Sequence, residues 1–119
     1  MSDMKVYGIK NCSTVKKALT WLDTHQMEYE FHDFKKLGIE RSRLEIWVNK
    51  LGLDKLINKR GTTWRTLSSD LQRSAAESEA AAIQLMKDYP SVIKRPVIEL
   101  AEKIILGFDA EVYEKVFQS

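Results

Sequence analysis

Met4-Lys5-Val6-Tyr7-Gly8-Ile9 runs through Lys10 into Asn11-Cys12-Ser13-Thr14 and on into Val15-Lys16-Lys17-Ala18-Leu19-Thr20-Trp21-Leu22. Its first six residues are a short β-rich run, and the next polar cluster holds the residue types that begin helices. Val15, Ala18, Leu19 and Leu22 then recur at i, i+3, i+4 and i+7, which predicts an amphipathic helix of about three turns ending near His25. Residues 28–34 alternate, with Tyr29 and Phe31 on one face and Glu28, Glu30 and His32 on the other, as a half-buried strand does. The opening therefore reads strand, helix, strand, a βαβ unit if the two strands are parallel.

The pattern then changes. Leu44, Trp47, Val48 and Leu51 form a helical stripe stopped by Gly52, and Leu53, Leu56 and Ile57 begin another short one. Gly61-Thr62-Thr63 breaks the periodicity, and a loop is expected around Trp64 to Asp70. Ala82, Leu85, Met86 and Tyr89 form a third stripe that Pro90 terminates. Ser74 and Glu77 have the spacing of a capping box for it, and Ser78 offers a competing start. Beyond Pro90, residues 97–100 and 103–106 read as an antiparallel hairpin across Ala101-Glu102. Asp109 is placed to cap a last helix carrying Val112, Tyr113, Val116 and Phe117 on one face. The predicted order is βαβ, three helices, ββα: one domain over residues 1–119, with a helical insertion over about 38–90 packed on a mixed sheet.

Composition removes several functional classes. A chain of 119 residues with 44% hydrophobic residues can support a core without metal or disulfide staples. One cysteine makes no internal disulfide, and Cys12 with His25 and His32 is a poor zinc set. A net charge of +2 is too small for a nucleic-acid-binding domain. Its distribution is uneven, however, because Lys50, Lys55, Lys59, Arg60 and Arg65 cluster with only Asp54 between them, as a solvated face or as a surface for anions or an acidic partner. Trp64, beside Arg65, is expected to be a core anchor rather than a base-stacking platform. No apolar run approaches the roughly 20 residues that span a bilayer, and residues 1–9 lack the apolar stretch of a signal peptide. No membrane association and a cytoplasmic, reducing location are expected, under which a free thiol persists. His25 is expected to complement the first helix's C-terminal dipole, and His32 to face solvent.

Cys12 has the clearest chemical potential. A helix N-terminus presents unpaired N–H groups and a partial positive charge, which favour the thiolate and can cradle an oxyanion offered to it. Lys16 and Lys17 follow in the first turn and add positive potential if they fold back. Arg95-Pro96 stands at the entrance of the strand over 97–100. It reads either as a rigid strand start or as a loop beside the thiol, with Arg95 offering a fork of donors to an anion.

Taken together, Asn11-Cys12-Ser13-Thr14-Val15-Lys16-Lys17-Ala18, Asn58-Lys59-Arg60-Gly61-Thr62-Thr63-Trp64-Arg65 and Ser91-Val92-Ile93-Lys94-Arg95-Pro96-Val97 resemble the arsenate reductase (ArsC)-like family, in its Spx/YffB branch. The resemblance covers essentially the whole chain. It implies an α/β thioredoxin/glutaredoxin-like fold with an inserted helical subdomain, a cis bond before Pro96, Cys12 as the active-site cysteine and Arg95 as the family's arginine before the proline. Two departures accompany it. Of the three arginines around the sulfur in the family's arsenate reductases, only Arg95 matches well: the first position falls at Asn58, flanked by Lys59 and Arg60, and the third at about Phe108. Val15 stands where Spx-type regulators carry the second cysteine of a C-x-x-C switch.

Any disulfide formed at Cys12 must accordingly be resolved by a thiol from outside the chain, and glutathione is the expected co-substrate, with no tightly bound cofactor. The expected activity is a glutathione-dependent monothiol reductase acting on an oxidised small molecule or a mixed disulfide. Cys12 is its nucleophile; Asn11, Ser13, Thr14, Asn58, Arg60, Arg95 and Pro96 are the candidate binding residues, with Ser13 and Thr14 N–H groups stabilising charge at sulfur. The alternative expectation is an Spx-like module whose basic segment docks on an acidic protein such as RNA polymerase. A monomer is expected in either case.

Overall fold

Four short strands and eight helices account for most of the computed structural model, which describes residues 3–117. By their contacts these residues fall into two compact units: 3–33 with 95–117, and Phe34–Lys94.

The first unit holds the sheet. Strand β1 (Met4–Gly8) leads through Cys12 into helix α1 (Ser13–Thr24), and β2 (Glu30–Asp33) returns parallel to β1, with Val6 opposite Phe31 and Tyr7 opposite His32. The predicted βαβ unit is present, with β2 starting at Glu30 and excluding Tyr29. Strands β3 (Val97–Leu100) and β4 (Lys103–Leu106) form the expected hairpin about Ala101-Glu102; β3 runs antiparallel to β1, giving the order β2-β1-β3-β4. The last helix in the chain, α8 (Ala110–Phe117), is capped by Asp109, whose Oδ1 accepts from the N–H groups of Glu111 (3.0 Å) and Val112 (3.3 Å).

Period-two and period-3.6 patterns meet in one core of Met4, Val6, Ala18, Leu22, Ile98, Ile105 and Tyr113, so that α1 and α8 cover the same face of the sheet. Val112 does not belong to that core: it is 41% exposed, because only Tyr113, Val116 and Phe117 turn toward the sheet. His32 is not turned simply to solvent either; it is half-buried with its ring 4.9 Å from that of Tyr7, its register partner. His25 ends α1 as expected, its Nδ1–H donating to the Trp21 carbonyl (2.8 Å).

The second unit is built of helices, α2 (Phe34–Leu37), α3 (Arg41–Leu51), α4 (Leu53–Leu56), α5 (Thr62–Thr66), α6 (Ser69–Glu77) and α7 (Glu79–Asp88), followed by a 3-10 turn at Pro90–Val92 and tied by an antiparallel bridge between Ile57 and Ile93. Phe34, expected to end β2, instead begins α2 and packs its ring against Trp47 (6.2 Å). Burial of Leu44, Trp47, Leu56, Met86, Val92 and Ile93 organises this unit, at about 1.5–3 kcal/mol per large side chain. Gly52 has φ +88°, a conformation that costs other residues strain, and it separates α3 from α4.

Three sequence expectations fail in this unit. The stretch from Trp64 to Asp70 is no loop but holds the end of α5 and the start of α6, and five helices, α3 to α7, stand where three were expected. Ser74 caps nothing and lies inside α6; the capping hydroxyls are Ser68, accepting from Leu71 N–H, and Ser78, accepting from Ala81 N–H, both at 3.2 Å. Trp64 is half-buried rather than enclosed, with the Lys59 ammonium 5.9 Å from its ring centre.

Candidate active site

The turn after β1 is tight. Cys12 N–H donates to the Ile9 carbonyl (3.3 Å), and the Cys12 carbonyl accepts the first helical bond from Lys16 N–H (3.0 Å), which makes Cys12 the N-cap of α1. A protonated thiol is a weak acceptor and makes no cap bond there. The thiolate is another matter. Partial burial raises the pKa of Cys12, but the N–H of Val15, a hydrogen bond and the positive charge of Arg95, and the N–H of Thr14 together outweigh it, and the thiol lies below its ordinary range. The backbone donors are thus those of the second and third helical residues, the positions that serve any N-cap acceptor, and the anion site lies deeper than the expected Ser13.

Val15 contributes twice. Its side chain is fully buried, with Cγ2 only 2.9 Å from where a Cβ on Gly8 would stand, and its N–H serves the sulfur. Glycine at the end of β1 therefore allows the first turn of α1 to sit tightly against the strand. Arg95 approaches from the loop that leads into β3. The Arg95–Pro96 peptide bond is cis, Pro96 is buried, and its carbonyl accepts from Gly107 N–H (2.9 Å). The Nε of Arg95 is buried, so the guanidinium is held by its surroundings rather than free to sweep through solvent.

Cys12, Thr14, Arg95 and Pro96 are thus assembled in one unit. Asn11 and Ser13 flank the thiol and are exposed. Asn58 and Arg60 belong to the helical unit, where Asn58 Oδ1 accepts from Arg60 N–H (3.2 Å), Asn58 N–H donates to the Val92 carbonyl (2.7 Å), and the Arg60 side chain is exposed. Lys16 and Lys17 line a groove on α1 with Trp21 and Phe108, and the positive charge that lowers the Cys12 pKa is that of Arg95. Phe108, at the family's third arginine position, packs edge-on against Tyr113 (5.1 Å) and supplies no cation. Among the described residues no group of three or more His, Cys, Asp or Glu side chains is arranged to hold a metal ion.

The role of Val15 escaped the sequence reading because its side chain spells core while its function lies in the backbone. Recognising Cys12 itself as the N-cap would have named both Thr14 and Val15.

A four-stranded mixed sheet with Cys12 at the head of its first helix defines the thioredoxin/glutaredoxin-like class of α/β proteins. Within that class the chain belongs to the ArsC family, whose model matches residues 7–116. A solved YffB protein is 45% identical, with 94% of this chain and 96% of that one covered and a TM-score of 0.88. A solved arsenate reductase (ArsC) related protein from Brucella melitensis is 40% identical, with 100% and 97% covered and a TM-score of 0.75. The global transcriptional regulator Spx of Streptococcus pneumoniae R6 is 27% identical over 103 residues, which cover 85% of this chain and 75% of the regulator. These similarities place the chain in the Spx/YffB branch.

Proposed function

We propose that the chain is a glutathione-dependent monothiol reductase acting on a mixed disulfide of glutathione. The observation that carries this reading is the Cys12 sulfur, activated by Val15 and Thr14 N–H groups and by Arg95. The Cys12 thiolate attacks the glutathionyl sulfur of G–S–S–R. The new Cys12–S–S–G bond forms as the S–S bond breaks, and R–S⁻ leaves with the electron pair and takes a proton from solvent. A glutathione thiolate then attacks the glutathionyl sulfur on Cys12, releasing oxidised glutathione and regenerating the Cys12 thiolate. The net change is G–S–S–R plus glutathione to R–SH plus oxidised glutathione, which balances without a cofactor.

Arg95 has two roles in this scheme: it stabilises the attacking sulfur and, once that charge is consumed, offers its fork to a glutathione carboxylate. Thr14 N–H stabilises charge at the sulfurs, and Asn11, Ser13 and buried Pro96 shape the mouth of the site. Arsenate is the weaker candidate substrate, since Asn58 and Phe108 stand at two of the family's arginine positions. A free thiol of this kind suits the reducing cytoplasm, and the reaction requires only a monomer.

The decisive experiment is mass spectrometry of Cys12 after exposure to oxidised glutathione, coupled to glutathione-dependent turnover of arsenate and of a mixed disulfide in parallel. A glutathionyl adduct on Cys12, absent in Cys12→Ser, with turnover of the disulfide is expected. An unmodified Cys12 with the reactivity of an ordinary free thiol overturns the proposal.

A second reading has its own support. Lys50, Lys55, Lys59, Arg60 and Arg65 are all exposed, Lys59 lies 3.8 Å from Asp54, and a relative of this chain is a transcriptional regulator. On that reading the segment docks on an acidic protein such as RNA polymerase, without nucleic acid. Co-purification that survives Cys12→Ser and is lost on charge reversal of Lys59 and Arg60 supports it; no complex at low salt overturns it.

A further inference from the structure

We infer that the groove along α1 between Trp21 and Phe108 receives the R group of the substrate, and that this group is a flat, apolar, preferably aromatic substituent carrying a carboxylate. The inference rests on the reductase reading for its chemistry. The groove itself rests on geometry.

Its volume is about 420 Å³, within the range of sites that enclose a small organic molecule. Trp21, His25 and Phe108 provide the apolar surface, Lys16 and Lys17 the charge, and Thr20 a hydroxyl. The floor is rigid. The Trp21 and His25 rings stack 3.8 Å apart at 20°, and buried Tyr113 meets both Trp21 (5.3 Å) and Phe108 (5.1 Å) edge-on. Flat faces of this kind favour a flat ligand.

Two routes connect the groove to the thiol. Along α1, Lys16 stands one turn from Cys12 and about 40° round the helix, and Trp21 follows at about 13 Å, so the face that starts beside the sulfur descends into the groove. Across the fold, Tyr113 donates from its hydroxyl to the Gly107 carbonyl, and Gly107 N–H donates to the carbonyl of Pro96, the residue after Arg95. Phe108 is therefore fixed in register with the substrate-binding loop. A substituent leaving the sulfur in this direction meets Lys16 and Lys17 before it meets the aromatic wall, which selects for an anion on an apolar body and against a cation.

Binding and turnover separate the two proposals. In the first arm, isotope-labelled Cys12→Ser protein is titrated with para-methylthiobenzoate while the Trp21 indole and Thr20 and Thr24 backbone N–H signals are followed by NMR. Saturable shifts at these groups are expected, with affinity reduced about tenfold in Lys16→Glu/Lys17→Glu and no binding of the cation para-methylthiobenzylamine. In the second arm, the wild-type protein is given glutathione mixed disulfides of thiobenzoic-acid-type aryl thiols and of mercaptoethanol. An aryl preference of about tenfold in kcat/KM, abolished by the double charge reversal, is expected. Absence of saturable shifts, or equal binding of the benzylamine, overturns the groove even if both disulfides are turned over. Binding of the benzoate with no turnover of either disulfide overturns the reductase reading and leaves the groove as a binding site.

Discussion

Arg95 donates to the Cys12 sulfur from the strand-entrance loop while Val15 and Thr14 donate to it from α1, so the thiolate is held between two elements distant in sequence. Arg95→Ala is expected to move the pH profile of Cys12 alkylation by iodoacetamide upward and to reduce kcat/KM at neutral pH by about 10–100-fold, the worth of one charge-assisted hydrogen bond. Arg95→Lys keeps the charge and loses the fork, and falls between. An unchanged alkylation profile in Arg95→Ala would remove Arg95 from the site.

Stability follows pH through the same group. The folded Cys12 pKa is depressed, so the thiolate's contribution is fully present above the ordinary thiol pKa of about 8.5 and is lost as pH falls through the folded value. Wild type should therefore gain stability relative to Cys12→Ser as pH rises through that window. Urea titrations of both proteins across neutral to mildly alkaline pH check the sign; parallel curves refute it.

Gly8→Ala tests how tightly the turn that carries Cys12 is seated. The added methyl would lie 2.9 Å from Val15 Cγ2, and Val15 is β-branched, fully buried and unable to step aside cheaply. Destabilisation of about 1–3 kcal/mol is expected. Slower Cys12 alkylation should accompany it, since displacing Val15 also displaces a thiolate donor.

Tyr113→Phe removes the hydroxyl that holds the Gly107 carbonyl. A loss of about 1–3 kcal/mol is expected from the carbonyl left without its donor. Burial pushes the Tyr113 pKa upward, so the folded state favours the neutral phenol. Its contribution is complete below about pH 10 and declines as the unfolded chain's tyrosine ionises above that. The difference between wild type and Tyr113→Phe should accordingly be constant up to about pH 10 and shrink beyond it.

The parts of this architecture legible in the sequence are those where side-chain periodicity and capping agree. Val15, Ala18 and Leu22 announced α1; Asp109 announced α8; the strands over 97–100 and 103–106 have the bounds expected of them. α5 and α6 were hidden for a physical reason. α5 spans five residues, begins with two β-branched threonines and buries none of its side chains, and α6 buries only Ala75, so neither carries an apolar stripe. At the site, position alone singled out Cys12 as a helix-terminal thiol. The cis bond at Pro96 came only from family resemblance, and the Trp21–Phe108 groove joins residues 87 positions apart that no local pattern links.

On the reductase reading, Val15, closed into the core at the position that the family resemblance gives to a second thiol, also determines how this protein responds to its surroundings. An internal dithiol faces its partner at a fixed effective concentration, and its oxidation is retained until a reductant intervenes. Cys12 instead draws its partner from solution, so its oxidised fraction rises and falls with the outside thiol and its disulfide at that moment. On that reading the protein keeps no record of past oxidation, and its state follows the present state of the thiol pool.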